Sequence, residues 1–449
     1  MMMENSRPNW PARFFGFAEQ QTSFRREIAG GATTFLAMSY IIFLQPAVLS
    51  LAGMDFGAVM VATCLSSALA TLIMGVYANY PIALAPGMGE NYFFSLSVVL
   101  GMGFAWPEAM AAVFYGGVFF LLLTILGVRE AILNAVPDSL KLAMGVGIGL
   151  FIATIGLANA GIIIKNPGGL VQLGKVTSMP VWLALAGTML TAIFAARKVP
   201  GAILLGILAT AGGAMALGLI HGQGLVSLPP SMIPTLFKLD FAPAFTFQFV
   251  SVVLVFLFMD VFDTVGTLIG VSERAGFIKD GRLPRAGKAM IADASGTVIG
   301  ALMGTSTITS FVESFAGIEQ GARTGFSNII VAAGFLLALF FSPLVALVGG
   351  SIEVAEGVRL APVTAPALII VGSLMAGAMT RVRWHDITES VPAFLTMIGI
   401  PLTFSVSDGL AFGFVSFAVL KVATGKAREV HWIMYLVAAF CIGRYAFFA

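Results

Sequence analysis

The sequence predicts an all-α polytopic membrane protein of fourteen membrane segments, built as a 7+7 inverted repeat. Three observations carry that prediction. The 449 residues are 58% hydrophobic and only 10% charged, where a soluble domain carries roughly 25% charge, so the excess apolar surface has to face lipid. Apolar runs of about 20 residues, the length that spans a bilayer, recur along the whole chain. Two of these runs are interrupted at corresponding places in the two halves, and each interruption leads to an acidic residue.

In order, the apolar segments cover residues 27–50, 56–78, 82–104, 108–128, 137–162, 179–196, 199–220, 244–271, 286–303, 304–320, 325–349, 360–380, 388–407 and 409–424. Residues 1–26 hold Arg7, Arg13, Arg25 and Arg26 without an apolar core, so a cleaved signal peptide is not expected. A last apolar stretch, 430–448, is interrupted by Arg444. Its uninterrupted part, about a dozen residues, suits a C-terminal interfacial helix. With the N-terminus in the cytoplasm, the inside loops hold Arg129, Arg197, Lys198, Arg274, Lys279, Arg282, Arg285, Lys288, Arg323, Arg381, Arg383, Lys421, Lys426 and Arg428. The outside loops hold only Lys165, Lys175, Lys238 and Arg359. That asymmetry follows the positive-inside rule and favours an even number of full crossings.

The third segment begins Tyr80-Pro81-Ile82-Ala83-Leu84-Ala85-Pro86-Gly87-Met88-Gly89. Pro81 and Pro86 lack backbone donors, and Gly87 and Gly89 are poor helix formers, so a short extended piece followed by a half-helix from about Gly89 is expected. The tenth segment opens on Thr305-Ser306-Thr307-Ile308-Thr309-Ser310, which favours extended backbone, with helix possible from Phe311. Each break follows a small-residue span ending in Met-Gly, at Met74-Gly75 and at Met303-Gly304, and leads to Glu90-Asn91 or Glu313-Ser314. Seven segments per half make the copies opposite in orientation. Broken backbone at membrane depth persists only inside protein or beside a cavity, and paired breaks in the two halves point to a transporter-type site.

An ionised carboxylate in hydrocarbon costs several kcal/mol, so intramembrane acids usually face a cavity and carry function. Asp260 and Asp263 lie three apart on the eighth segment, hence on one helix face. One is expected to contact a bound molecule while the other carries a proton or caps nearby backbone. Glu90 and Glu313 sit near the half-helix N-termini, whose unpaired N–H groups would point at a polar ligand. Dipole and burial pull these acids in opposite directions, which suits proton-coupled carboxylates. The plainer alternative is that Glu313 and Glu90 merely cap their own half-helices. Asp293 on the ninth segment reads as structural, bonded toward the eighth. Tyr40, Tyr92, Phe93, Phe94, Phe262 and Phe315 could cover the faces of a planar ring, although most of the 38 phenylalanines must pack or face lipid.

Other classes are disfavoured. Two cysteines, Cys64 and Cys441, lie in apolar segments and three histidines are scattered, so neither a disulfide framework, a metal site nor a cofactor is expected. Asp260-x-x-Asp263 superficially resembles a metal–diphosphate site, but an intramembrane enzyme of that kind would need further acids facing the metal. The basic hairpin Arg274–Lys288 reads as a topology determinant and not as a nucleic-acid surface.

The stretches 26–55 (REIAGGATTFLAMSYIIFLQPAVLSLAGMD), 83–94 (ALAPGMGENYFF), 258–344 and 386–417 together resemble the AzgA-like purine permeases of the nucleobase–cation symporter 2 (nucleobase–ascorbate transporter) superfamily, over nearly the whole chain. The resemblance implies short strands in segments 3 and 10. It also implies a core domain from residues 27–128 and 244–349 and a gate domain from 129–243 and 350–429, flanked by a cytoplasmic segment 1–26 and the C-terminal helix 430–449. Matched motif to motif, Asp263, Asp260 and Glu313 would hold the nucleobase, with Gly87, Met88, Gly89 and Glu90 completing the site and Ser314, Phe262 and Tyr40 beside it. The implied activity is import of hypoxanthine, guanine or adenine by proton symport, with Asp260, Asp263, Glu90 and Glu313 as proton-coupling candidates. An elevator-like movement, a homodimer through the gate domain and a bacterial inner-membrane location are implied as well. Glu90 departs from the family pattern, where an apolar residue is usual, which opens substrate choice and coupling to change. Carriage of another small solute on the same fold, including an anion, is the alternative; the acids oppose an anion unless protonated.

Overall fold

The computed structural model describes residues 10–127, 136–166, 170–222, 224–244, 246–278, 283–350, 352–355 and 358–448. Arg129, Lys279 and Arg282, three of the basic residues used above for topology, and Arg7 of the N-terminal segment lie outside the described residues.

The first half runs α1 (Trp10–Phe14), α2 (Phe24–Met38), α3 (Ile41–Ser50), α4 (Phe56–Ile73), β1 (Leu84–Pro86), α5 (Met88–Tyr92), α6 (Trp106–Ile125), α7 (Asp138–Asn159), the hairpin β2 (Ile163–Lys165) and β3 (Val171–Leu173), α8 (Met179–Ala196) and α9 (Ala202–Ala216). The second half runs α10 (Phe247–Arg274), α11 (Ala286–Met303), β4 (Ile308–Ser310), α12 (Ser314–Glu319), α13 (Phe326–Ala338), α14 (Ser342–Gly349), the hairpin β5 (Ile352–Ala355) and β6 (Val358–Leu360), α15 (Ala365–Ala376), α16 (Ile387–Thr403), α17 (Val406–Ala423) and α18 (Trp432–Phe448). Among the described residues, eight helical stretches are long and apolar enough to cross a membrane, and four shorter apolar helices accompany them.

Capping fixes several helix starts. Asp55 accepts the Ala58 N–H at 2.7 Å ahead of α4, Thr246 accepts the Phe249 N–H at 3.2 Å ahead of α10, and Ser405 accepts the Asp408 N–H at 3.2 Å ahead of α17. Where the sequence reading expected one uninterrupted first segment, the structure has two helices. The Ser39 hydroxyl donates back to the Leu36 carbonyl at 3.1 Å, and the next turn closes with short-range bonds from Ile42 N to Ser39 O and from Phe43 N to Tyr40 O. Such back-bonding bends helices, and the bend carries Tyr40. The eleventh segment is likewise divided, at Pro343, which lacks the donor a continuous helix needs.

Two packed groups result. In one, α2 and α4 pack on α13, and α11 packs on both α4 and α6. In the other, α7 packs on α15 and α16, α8 on α9 and α15, and α16 on α17. Helices in the first group meet through glycines: a Cβ on Gly325 would fall 1.9 Å from the Gly75 carbonyl oxygen.

The two interrupted segments pair with each other. β1 and β4 are antiparallel, with Leu84 opposite Ser310, Ala85 opposite Thr309 and Pro86 opposite Ile308. The ladder is extended by Gly87 N–H to Thr307 O (3.0 Å) and Phe311 N–H to Ala83 O (2.9 Å). Fully buried strands need every polar group matched. The Asn328 amide supplies part of this, donating to Thr71 O, Tyr80 O and Ile82 O at 3.2, 3.0 and 2.9 Å. Thr71 and the Leu84 backbone bond each other at 3.0 Å. Helix α11 ends just before β4 at Gly304, whose φ of 93° falls in the left-handed region open to glycine.

Candidate functional site: a cavity at the paired strands

A cavity of about 370 Å³ lies against the ends of both strands, within the size range of small-molecule sites. Its polar floor comes from Gly87 to Glu90 on one side, Thr309 to Glu313 on the other, and Asp263 from α10. Tyr40, Phe262, Phe311 and Phe315 supply aromatic wall, and Ile148 and Met375 close it from the second packed group. Lys141, Glu273 and Arg381 border it at helix ends.

Each acid is held differently. Asp263 is exposed to the cavity. Glu313 is the cap residue of α12 but makes no side-chain cap bond; its Oε1 accepts the Tyr40 hydroxyl at 2.6 Å instead. Self-capping is therefore not what Glu313 does. Tyr40 is 2% exposed, so the bond is shielded and fixes the carboxylate. Glu90, in the first turn of α5, folds back over Gly87, where an added Cβ would meet its Oε2 at 2.2 Å. An added Cβ here would displace the Glu90 carboxylate and press on Thr309.

Two expected ligand contacts do not reach the cavity. Asp260 shares a helix with Asp263 but turns toward α11, accepting the Thr297 hydroxyl at 2.9 Å, and its other oxygen has no hydrogen-bond partner among the described residues. A separation of three residues rotates a side chain about 60° around a helix, enough to place one acid in the cavity and the other behind the strands. Ser314 is fully buried, and its hydroxyl oxygen accepts the Ala83 N–H at 3.0 Å. It fastens the strand crossing and does not line the site. Asp293 is structural, as its small-residue setting suggests: it accepts Thr264 Oγ1 at 2.6 Å and Ser310 Oγ at 2.8 Å. Thr264 also lies 3.1 Å from Thr309 Oγ1. The acids behind the strands thus clamp β4 to α10 and α11. Tyr92, Phe93 and Phe94 are buried in the core and do not line the cavity.

Sequence reasoning missed Thr309, which sits beside Asp263, and the wall from α7 and α15. Thr309 lay in the polar run before Glu313, and strand alternation next to a carboxylate could have singled it out. Ile148 and Met375 had no signal, being apolar residues in apolar helices. Among the described residues no group of His, Cys, Asp and Glu is arranged to hold a metal ion.

Comparison with known proteins gives consistent results. The chain is 48% identical to a permease of Methanocaldococcus jannaschii (97% of this chain, 98% of the relative). It is 46% identical to a guanine/hypoxanthine permease of Bacillus subtilis (94% and 96%) and 41% identical to an adenine permease of Escherichia coli (97% and 96%). Among solved structures, the transmembrane domain of the cyanobacterial bicarbonate transporter BicA aligns with a TM-score of 0.62 at 16% identity, covering 87% of this chain and 97% of that one. The murine anion transporter Slc26a9 in its inward-facing state aligns with a TM-score of 0.64 at 10% identity, over 94% and 73%. These likenesses establish the fold, the inverted-repeat membrane architecture. The family model for the permease family (Xan_ur_permease) matches residues 25–412. The chain therefore belongs to that permease family, as its motifs suggested, and is a multi-pass membrane protein.

Proposed function

We propose that the protein imports purine nucleobases across the bacterial inner membrane by proton symport, the core helices moving against the gate helices in an elevator-like step. One observation carries the reading: Asp263, Glu313 and Glu90 converge with the strand ends on a single cavity bounded by aromatic rings. A purine is flat, uncharged and rich in N–H donors. Carboxylates accept those donors, backbone N–H groups at the half-helix starts serve its carbonyl or ring nitrogens, and the rings cover its faces. Three acidic side chains oppose an anionic substrate. The names of relatives sharing more than 40% identity, guanine/hypoxanthine and adenine permeases, support the same class.

The cavity borders Lys141, Glu273 and Arg381, helix ends that the positive-inside rule assigns to the cytoplasm, which corresponds to an inward-facing arrangement. Core residues 27–128 and 244–349 then carry the strand crossing and all three acids, while Ile148 and Met375 belong to the gate. A homodimer through the gate helices would anchor the stationary part. In proteoliposomes, labelled hypoxanthine, guanine or adenine should accumulate saturably when the outside is acidic, and a protonophore should abolish accumulation. Uptake indifferent to the proton gradient would remove the symport, and bicarbonate uptake in place of purine uptake would remove the substrate class.

A further inference from the structure

Two threonine hydroxyls join the cavity acid Asp263 to the buried acid Asp293. Asp293 and Thr264 are fully buried, and neither lines the cavity. Asp293 Oδ2 lies 2.6 Å from Thr264 Oγ1, and Thr264 Oγ1 lies 3.1 Å from Thr309 Oγ1. Thr309, on the cavity wall, hydrogen-bonds the Asp263 carboxyl. The Thr309 methyl packs on Gly87, where an added Cβ would meet it at 2.9 Å. A β-branched side chain held in this way keeps its hydroxyl in one place.

Counting hydrogens gives the chain its chemistry. Three contacts link Asp263, Thr309, Thr264 and Asp293. Each contact needs one hydrogen, and each threonine hydroxyl supplies only one, so the last must sit on a carboxyl at one end. With that hydrogen on Asp293, donation runs from Asp293 to Thr264 to Thr309 to Asp263, and Asp263 is the anion. With it on Asp263, every bond reverses and Asp293 is the anion. In either state the other Asp293 oxygen accepts the Ser310 hydroxyl at 2.8 Å. The bonds that clamp β4 therefore also form a reversible path between a wet carboxyl and a dry one.

The titratable groups facing Asp293 are Asp260 and Asp263 from α10 and Glu90 from α5. Asp260 bonds Thr297 and stands outside the chain. None of these acids is ion-paired among the described residues. Without a cation, one buried negative charge held by hydroxyls costs less than two, which agrees with a single hydrogen shared between Asp263 and Asp293.

We propose that Asp293 stores the coupled proton, delivered from Asp263 through Thr309 and Thr264. The proposal rests on the symport reading above and adds to it the seat of the proton. In the transfer Asp263 gives its proton to Thr309 Oγ1, Thr309 gives its own hydrogen to Thr264 Oγ1, and Thr264 gives its own to Asp293 Oδ2. An O–H bond breaks at each donor as one forms at each acceptor, and the negative charge moves from Asp293 to Asp263. Asp263 is then the anion that accepts a nucleobase N–H, while the proton lies behind the strands, closed off from the cavity. Nucleobase binding and a proton on Asp293 thereby favour each other.

The test is isothermal titration of hypoxanthine, guanine or adenine, whichever binds wild type, into the full-length protein. Buffers of different ionisation enthalpy count the protons taken up, and a series of pH values is covered. Wild-type uptake should reach about one proton per base bound. Asp293→Asn presents an amide that donates to Thr264 as the protonated acid does; it should keep base binding and take up no proton, with the thermal midpoint reporting its fold. If Asp293→Asn does not fold, Thr264→Val decides: in proteoliposomes it should exchange the base by counterflow yet lose accumulation driven by a proton gradient, and Thr264→Ser should restore accumulation. Proton uptake undiminished in Asp293→Asn, loss of base binding in the folded variant, or wild-type accumulation in Thr264→Val would each overturn the proposal and leave the symport standing. Wild type that binds the base without taking up a proton would remove the symport and the proposal together.

Discussion

Replacing Tyr40 by Phe isolates one bond at the site. The hydroxyl donates to Glu313 Oε1 at 2.6 Å in a shielded position. The phenyl ring would keep its packing beside Phe311, 6.4 Å between centroids, so the fold should be retained. A hydrogen bond to a charged group contributes about 1.5–3 kcal/mol. If that energy orients Glu313 for its ligand, nucleobase affinity should fall by about tenfold to a hundredfold. Isothermal titration of purines into purified wild type and Tyr40→Phe gives the number directly, with the thermal midpoint as a control for folding. Wild-type affinity in Tyr40→Phe would refute the orienting role.

Other outcomes follow from the same geometry. Asn328→Ala removes the amide that bonds three carbonyls around β1 and should destabilise the protein by about 1–3 kcal/mol, lowering its thermal midpoint in detergent. Glu90→Gln should shift the pH dependence of uptake while leaving the thermal midpoint near wild type; an unchanged pH profile would make Glu90 structural. Asp386, at the start of α16, accepts from both Thr388 N–H and Thr388 Oγ1, with Lys426 nearby, and these hold its carboxyl at about 2, below the ordinary 3.8. Its contribution is present above the ordinary value and is lost as pH falls toward about 2. Asp386→Ala should therefore be less stable than wild type at neutral pH and indistinguishable from it once that carboxyl is protonated, as thermal scans across acid pH would show.

Much of this architecture was legible because its signals are local. Pro81, Pro86 and Gly87 forbid a continuous helix, and Thr305 to Ser310 favour extended backbone, so both interruptions were visible residue by residue. That β1 and β4 pair with each other is a contact between residues more than 200 positions apart, which no local pattern specifies. Asp263 and Glu313 were legible as acids in apolar surroundings. The same reasoning overreached at Asp260 and Ser314, whose side chains face α11 and the Ala83 backbone. Residue type announces that a buried polar group needs a partner, but rotation about the helix axis decides whether that partner is a ligand or the protein. The bend at Ser39–Tyr40 went unread because its cause, a side-chain bond to the preceding turn, is indistinguishable in sequence from an ordinary helical serine.

Equilibrium binding of labelled hypoxanthine, guanine and adenine to purified, monodisperse protein bears most directly on the two cavity acids. At least one of these bases should bind wild type with uracil and bicarbonate failing to compete, and Asp263→Asn and Glu313→Gln should each abolish the signal while keeping the wild-type elution profile. Undiminished purine binding in both variants would contradict the assignment of the site to these carboxylates.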